Sequence, residues 1–277
     1  MRYLTLNSGQ KMPVLGQGTW GFGENGKSRA PAVAALRRGI DLGMTLIDTA
    51  EMYGEGGAEE IVGEAIAGRR DEVFLVSKVY PHNASRKAAI AACERSLKRL
   101  ATDRIDVYLL HWRGGETLAD TVAGFEALQR DGKIGSYGVS NFDTDDMAEL
   151  WRVAGGAAAV TNQVLYNLTR RGVEFDLLPW CRGHGVPVMA YSPIEQARML
   201  GNAALRKIAG QRGVTPAQLA LAWLLHQDGT VVIPKAGRLK HVEENAAALD
   251  ITLTVEDLAA LDRAFPPPET KRPLEML

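Results

Sequence analysis

Thr45-Leu46-Ile47-Asp48, Val73-Phe74-Leu75-Val76-Ser77-Lys78 and Val107-Tyr108-Leu109-Leu110-His111 are short apolar runs, each ending in a polar or charged residue. Continuous runs of this length, rich in branched side chains, read as strands buried on both faces, the mark of a parallel sheet. Comparable runs start near Leu15, Ile134, Val160, Val186 and Val231. The first seven of these eight starts follow one another at intervals of roughly 30 residues, enough for one strand, one helix and two short loops. The wider gap between Val186 and Val231 predicts two helices. Eight strands alternating with helices over about 250 residues predict an α/β chain folded as a closed (β/α)8 or TIM barrel.

The remaining signals fit this frame. Tyr3-Leu4-Thr5-Leu6 and Met12-Pro13-Val14-Leu15 flank an Asn7-Ser8-Gly9 turn and predict an N-terminal β-hairpin. Ser85 stands as an N-cap before a helix carrying Ala88, Ala89, Ile90, Cys93, Leu97 and Leu100 on its apolar stripe. Thr117 with Asp120 reads as a capping box, Thr215-Pro216-Ala217-Gln218 adds proline at the first helical position, and Thr254 with Asp257 opens an extra C-terminal helix. The tail from Pro266 to Leu277 begins with three prolines and is expected to be irregular. No linker or composition break appears, so residues 1–277 are expected to form a single domain.

Composition excludes several function classes. The 277 residues are 46% hydrophobic and 23% charged, with a formal net charge of −1, values of an ordinary globular protein. Such a balance gives no electrostatic reason to bind nucleic acid or a membrane surface. Cys93 and Cys181 are too few for a disulfide framework, lack metal-ligand spacing and read as buried small hydrophobes, so no metal is expected. Residues 1–7 are too polar for a secretory signal, and the apolar run Leu219 to Leu225 is far short of a membrane span. A soluble, cytoplasmic monomer is the expectation.

Gly16-Gln17-Gly18-Thr19-Trp20-Gly21 matches the GxGxxG fingerprint of a Rossmann dinucleotide site, with Asp48 as a ribose-binding acid. That fingerprint requires a helix to start at its third glycine, so that helix amides meet the pyrophosphate. Here Phe22-Gly23-Glu24-Asn25-Gly26 continues as loop, and no helix is expected before Ser28 or Arg29. Asp48 also lies beyond the usual offset of about 20 residues. The match is read as accidental.

In a barrel of this kind the active site lies where strands run out into the βα loops. Those positions hold Asp48, Lys78 and His111, with Tyr53 in the loop past Asp48. Each alone is an ordinary way for a strand to meet solvent; together they make chemical sense. A tyrosine of pKa about 10 is a poor proton donor near neutrality, a nearby ammonium lowers that value, and a carboxylate aims the ammonium. Histidine then orients a carbonyl oxygen. The set suits protonation of the alkoxide that forms when hydride attacks an aldehyde or ketone.

Asp48-Thr49-Ala50-Glu51-Met52-Tyr53-Gly54, Ser77-Lys78-Val79 and Leu110-His111-Trp112 closely resemble the aldo-keto reductases. Further likeness runs through Gly18-Thr19-Trp20, Gly138-Val139-Ser140-Asn141-Phe142, Asn162-Gln163, Tyr191-Ser192-Pro193 and Ile233-Pro234-Lys235, nearly the whole chain. The resemblance implies Tyr53 as general acid, Lys78 and Asp48 as its tuning pair, and His111 as the carbonyl-orienting residue. It implies an NADP-type nucleotide bound without a Rossmann fold, with Tyr191 stacked on the nicotinamide and Ser140, Asn141 and Gln163 on its carboxamide. Thr19 and Trp20 fall in the same cofactor set. Ser192-Pro193-Ile194-Glu195-Gln196 would border the pyrophosphate. For Ser140-Asn141 a helix cap before Asp143-Thr144-Asp145-Asp146 is a second reading.

Lys235, Ala236, Gly237 and Arg238 precede a helix with His241, Glu244 and Asn245. Two cations beside a helix N-terminus suit a 2′-phosphate and favour NADPH over NADH. Much of the family has a hydroxyl residue after the lysine and an arginine six positions on; Ala236 and His241 depart from that pattern, and Arg238 is the expected substitute. Trp20, Tyr80 and Trp112 fall where the family places its pocket walls, and short loops with a brief tail imply an open pocket for small aldehydes, methylglyoxal or keto-sugars. Two other readings compete: a Schiff-base aldolase using Lys78, which leaves Tyr191 and the Lys235/Arg238 cluster unexplained, and a nucleotide-binding regulatory barrel without turnover.

Overall fold

The computed structural model of the chain describes residues 1–24 and 29–277. Asn25, Gly26 and Ser28, part of the loop expected after Gly21, lie outside the described residues. The hairpin forms from β1 (Tyr3–Thr5) and β2 (Lys11–Pro13), paired antiparallel. Eight strands follow: β3 (Gly16–Gly18), β4 (Leu46–Asp48), β5 (Phe74–Val79), β6 (Ile105–Leu110), β7 (Ile134–Ser140), β8 (Asn162–Leu165), β9 (Val188–Tyr191) and β10 (Thr230–Val232). Each pairs in parallel with the next. A parallel bridge between Leu15 and Val232, with the Val232 N–H donating to Val14 O at 2.8 Å, closes the ring. The bridge joins the first barrel strand to the last, the barrel architecture expected from the spacing.

Among the described residues, ten α-helices surround the strands: α1 (Arg29–Asp41), α2 (Gly57–Ile66), α3 (Arg86–Leu100), α4 (Leu118–Arg130), α5 (Thr144–Arg152), α6 (Leu177–Gly183), α7 (Ala203–Gln211), α8 (Pro216–His226), α9 (Leu239–Ala247) and α10 (Val255–Ala264). The wide interval after Val186 holds α7 and α8, α9 follows the last strand, and α10 is the extra C-terminal helix opened by Thr254. Thr215 with Gln218 and Thr254 with Asp257 form reciprocal capping boxes. Thr117 caps the Asp120 amide, while its own hydroxyl turns to the Asp120 carboxylate, so this box is half made. Ser85 holds the N-cap position of α3 without a side-chain hydrogen bond to the helix. The cap before α5 is Asp143 with Asp146, which leaves Ser140 and Asn141 free of that duty.

Strand alternation separates two apolar layers. Leu46, Val76, Val107, Leu109, Val160, Met189 and Val231 fill the barrel interior, where Leu6 and Met12 of the hairpin plug the N-terminal end. Residues of the opposite parity, such as Ile47, Leu75, Val79, Tyr108 and Val164, pack outward against the helices. Cys93 on α3 and Cys181 on α6 are buried free thiols. Among the described residues, no helix is long and apolar enough to cross a membrane.

Candidate active site

At the open end of the barrel, β4 and β5 run parallel, with Asp48 in register with Val76. Interior parity turns the Lys78 side chain inward just above Val76, where it is fully buried. Its ammonium has three protons to place and three acceptors around it: Asp48 Oδ2 at 2.8 Å, Thr49 O at 2.9 Å and Tyr53 OH at 3.1 Å. The Tyr53 ring lies edge-on to His111, centroids 5.7 Å apart. The three strand-end residues singled out from sequence and the loop residue Tyr53 therefore meet at one point.

Burial governs the electrostatics. It pushes the Tyr53 phenol well above its ordinary value, and the negative charge of Asp48 acts in the same direction. The depression expected from the neighbouring ammonium is thus outweighed, and Tyr53 is held as the neutral phenol. Burial also lowers the Lys78 pKa, against the opposing pull of Asp48. His111 is driven down to about 2, first by burial and then by Lys78, so its imidazole is neutral.

A second set adjoins the first. Gln163 donates from Nε2 to Asp48 Oδ1 at 2.7 Å, and the Ser140 hydroxyl donates to the Gln163 carbonyl at 2.9 Å. Asn141, in a left-handed conformation at φ 58°, donates to His111 O at 3.1 Å and accepts from the Tyr191 hydroxyl at 3.0 Å. Ser140, Asn141, Gln163 and Tyr191 thus form one polar wall facing the Asp48–Lys78 pair, and Asn141 reaches the strand end of His111. Thr19 is buried and donates to Asp48 O at 2.9 Å, so this residue of the cofactor set steadies β4.

Beyond Tyr191 the chain turns sharply. Ser192, Glu195, Gln196 and Ala197 all have positive φ, a costly conformation for residues with a Cβ. Glu195 is buried and accepts from Arg170, Arg198 and Asn167, which locks the turn while Gln196 stays exposed. Pro193 is buried and Ile194 half-buried in the same segment. On the other flank, Lys235 lies over the buried Phe22 ring, 4.9 Å from its centroid, and Gly237 sits against the same ring. Arg238 is the N-cap residue of α9. Lys235, Arg238 and His241 are exposed around that helix start, and Ala236 is half-buried. Asn245 is buried inside α9, and Glu244 faces Lys240 at 3.8 Å.

The aromatic wall is only partly assembled. Tyr80 and Trp112 pack edge to face at 5.9 Å, and Trp112 tilts against His111 at 4.8 Å. Tyr80 also stacks on His82. Trp20 stands apart from them, 51% exposed. The tail is irregular as expected but tied down: Arg170 pairs with Glu275 at 2.5 Å, and Lys271 with Asp145 and Asp176.

Several contributors were missed from sequence. Thr49 takes part through its carbonyl, Phe22 underlies Lys235, and Arg170 links Glu195 to the tail. An aromatic shortly after Gly18-Thr19-Trp20 was the one available signal, for Phe22. The other two are visible only once distant segments meet.

The sequence profile of the Aldo/keto reductase family matches residues 14–265. The chain belongs to the aldo/keto reductase family. Among aldo/keto reductases and related enzymes, it is 53% identical to the methylglyoxal reductase YeaE of Escherichia coli, over 96% of this chain and 95% of that protein. It is 36% identical to the glyoxal reductase of Bacillus subtilis, over 93% and 90%. An aldo/keto reductase from Klebsiella pneumoniae, crystallised with NADP and acetate, superposes with a TM-score of 0.97 at 53% identity, covering 99% of both chains.

Proposed function

We propose that this aldo/keto reductase reduces small aldehydes and ketones to alcohols with NADPH, methylglyoxal being the first substrate to try. The observation that carries the reading is the Lys78 ammonium, shared between Asp48 at 2.8 Å and the Tyr53 hydroxyl at 3.1 Å with the neutral His111 ring alongside. The E. coli and B. subtilis relatives, reductases of methylglyoxal and glyoxal, support the substrate class, and the NADP complex of the Klebsiella protein supports the cofactor.

The donor set fits the nucleotide. Ser140, Asn141 and Gln163 offer the mixed donors and acceptors that pair with a carboxamide, and Tyr191 offers an aromatic face beside them. Gln196 and its neighbours would flank the pyrophosphate. Lys235 and Arg238, at the start of α9, suit a 2′-phosphate. When bound, the reduced nicotinamide supplies the hydride that reduces the carbonyl carbon.

The chain's own residues handle the oxygen. Neutral His111 donates a hydrogen bond to it and fixes its direction. Tyr53 releases its O–H proton to the oxygen as negative charge develops there. The Lys78 ammonium, already hydrogen-bonded to the phenol oxygen, stabilises the phenolate left behind, and Asp48 holds that ammonium in line. Such positioned acid catalysis contributes about 10²- to 10⁴-fold.

The aldolase alternative loses support here, because a fully buried Lys78 with all three donors engaged offers no open face for attack on a carbonyl. NADPH oxidation measured over a panel of methylglyoxal, other aldehydes, keto-sugars and ketones tests the reading. Turnover is expected, highest with the small aldehydes; tight NADPH binding without turnover on any carbonyl would overturn it in favour of a regulatory barrel.

A further inference from the structure

Two carboxylates bracket Tyr53 in the chain, and they grip residues that bracket Lys78. Glu51 precedes Tyr53 by two positions. Its Oε1 accepts from the Tyr80 N–H at 2.9 Å and from Asn83 Nδ2 at 3.0 Å, just beyond Lys78 on β5. Glu59 follows Tyr53, in the first turn of α2. It is fully buried, accepts from the Ser77 hydroxyl at 2.6 Å and pairs with Arg99 of α3 at 2.6 Å. Ser77 points outward from the barrel by strand alternation while Lys78 points in, so the Glu59 contact lies on the opposite face of the strand from the ammonium.

The connecting turn needs such fixing. Gly54, Glu55 and Gly56 have φ of 58°, 52° and 89°, three left-handed residues in succession between Tyr53 and α2. A Cβ on Gly56 would meet the Arg99 side chain at 2.5 Å, so the same arginine that pairs with Glu59 packs flat on the turn. Arg99 is steadied in turn by the buried Ser96 hydroxyl at 3.2 Å.

We infer that Glu51 and Glu59 are positioning residues that clamp the Tyr53 turn onto β5 and so set the distance between the Tyr53 hydroxyl and the Lys78 ammonium. Neither touches the reacting atoms; both act through the geometry of residues that do. The inference rests on Tyr53 being the proton donor.

The test uses the full chain with NADPH and methylglyoxal. Glu59→Gln keeps an oxygen for Ser77 and loses the Arg99 pair; Ser77→Ala cuts the grip on β5 with a small change in volume. Both are expected to lower kcat by about tenfold to a hundredfold, as misplacement of a reacting group does. NADPH Kd should stay within about twofold, and the primary deuterium isotope effect on kcat with deuterated NADPH should rise. A merely structural role would lower the melting temperature without raising the isotope effect. Should Glu59→Gln fail to fold, Ser77→Ala decides: kcat and isotope effect equal to the parent's overturn the clamp. Tyr53→Phe, run alongside, separates the two failures, since full activity in that variant refutes the proton-donor reading itself.

Discussion

Gln163 on β8 hydrogen-bonds Asp48 on β4 across the mouth of the barrel, Nε2 to Oδ1 at 2.7 Å. One residue thus serves both the carboxylate that holds Lys78 and the polar wall proposed for the carboxamide. Gln163→Leu removes a donor from a buried carboxylate, a loss of about 1.5–3 kcal/mol. The expected result is a lower melting temperature together with a lower kcat and weaker NADPH binding. An effect on nucleotide affinity alone would mean that Asp48 does not depend on this bond.

Tyr53→Phe deletes the proposed proton donor while keeping the ring against His111. Carbonyl reduction should fall by about 10²- to 10⁴-fold, with NADPH Kd almost unchanged by fluorescence titration. A variant with most of its activity would place the acid elsewhere.

Lys78 and Asp48 are both buried, with side-chain exposures of 0% and 3%. Removing one partner strands the other charge, at about 3–5 kcal/mol. Asp48→Asn should therefore lose both stability and activity. Pairing it with Lys78→Met should recover much of the stability in urea unfolding and none of the turnover. Equal stability of Asp48→Asn and the parent would contradict the burial argument.

The His111 pKa, about 2 in the folded chain, lies below the ordinary value near 6.5. Between these limits the unfolded chain binds the extra proton and the folded chain does not. Stability is then complete above the ordinary value and declines as pH falls below it, by up to about 1.4 kcal/mol per pH unit. His111→Asn should flatten the pH dependence of unfolding free energy between pH 6 and pH 4. An unaltered slope would show that His111 takes up a proton in the folded state.

Arg238 is the proposed substitute for the arginine that the family commonly places where His241 stands. Arg238→Ala should lower the ratio of kcat/KM with NADPH to that with NADH about tenfold or more, the size of a lost charge-assisted hydrogen bond. A constant ratio leaves the 2′-phosphate to Lys235 and the α9 terminus.

The parts legible in the sequence are those written locally. Strand runs ending in Asp48, Lys78 and His111 are local, as are the boxes of Thr215 with Gln218 and Thr254 with Asp257, because three or four residues contain the whole interaction. Ser140-Asn141 shows the limit: a competing cap at Asp143 takes the helix start, and which one wins depends on how far β7 runs. Charge reasoning alone gave Tyr53 the wrong direction of pKa shift, because the degree of burial is a property of the closed barrel. The Glu59–Ser77 contact joins a helix to the outer face of a strand, and the Arg170–Glu275 pair joins a loop to the tail. Neither leaves a pattern in any short window.

The bridge from Leu15 to Val232 gives this molecule a late step in time as well as a seam in space. Gly18 N–H reaches Pro234 O at 3.0 Å, and Lys235 follows at once, so the first strand finds its second neighbour only when the last strand has emerged. During synthesis β3 waits with one open edge for nearly the whole chain, and pairing at such separation is entropically slow. Lys235, one of the two cations proposed for the phosphate, is therefore delivered to Phe22 by the same event that completes the ring.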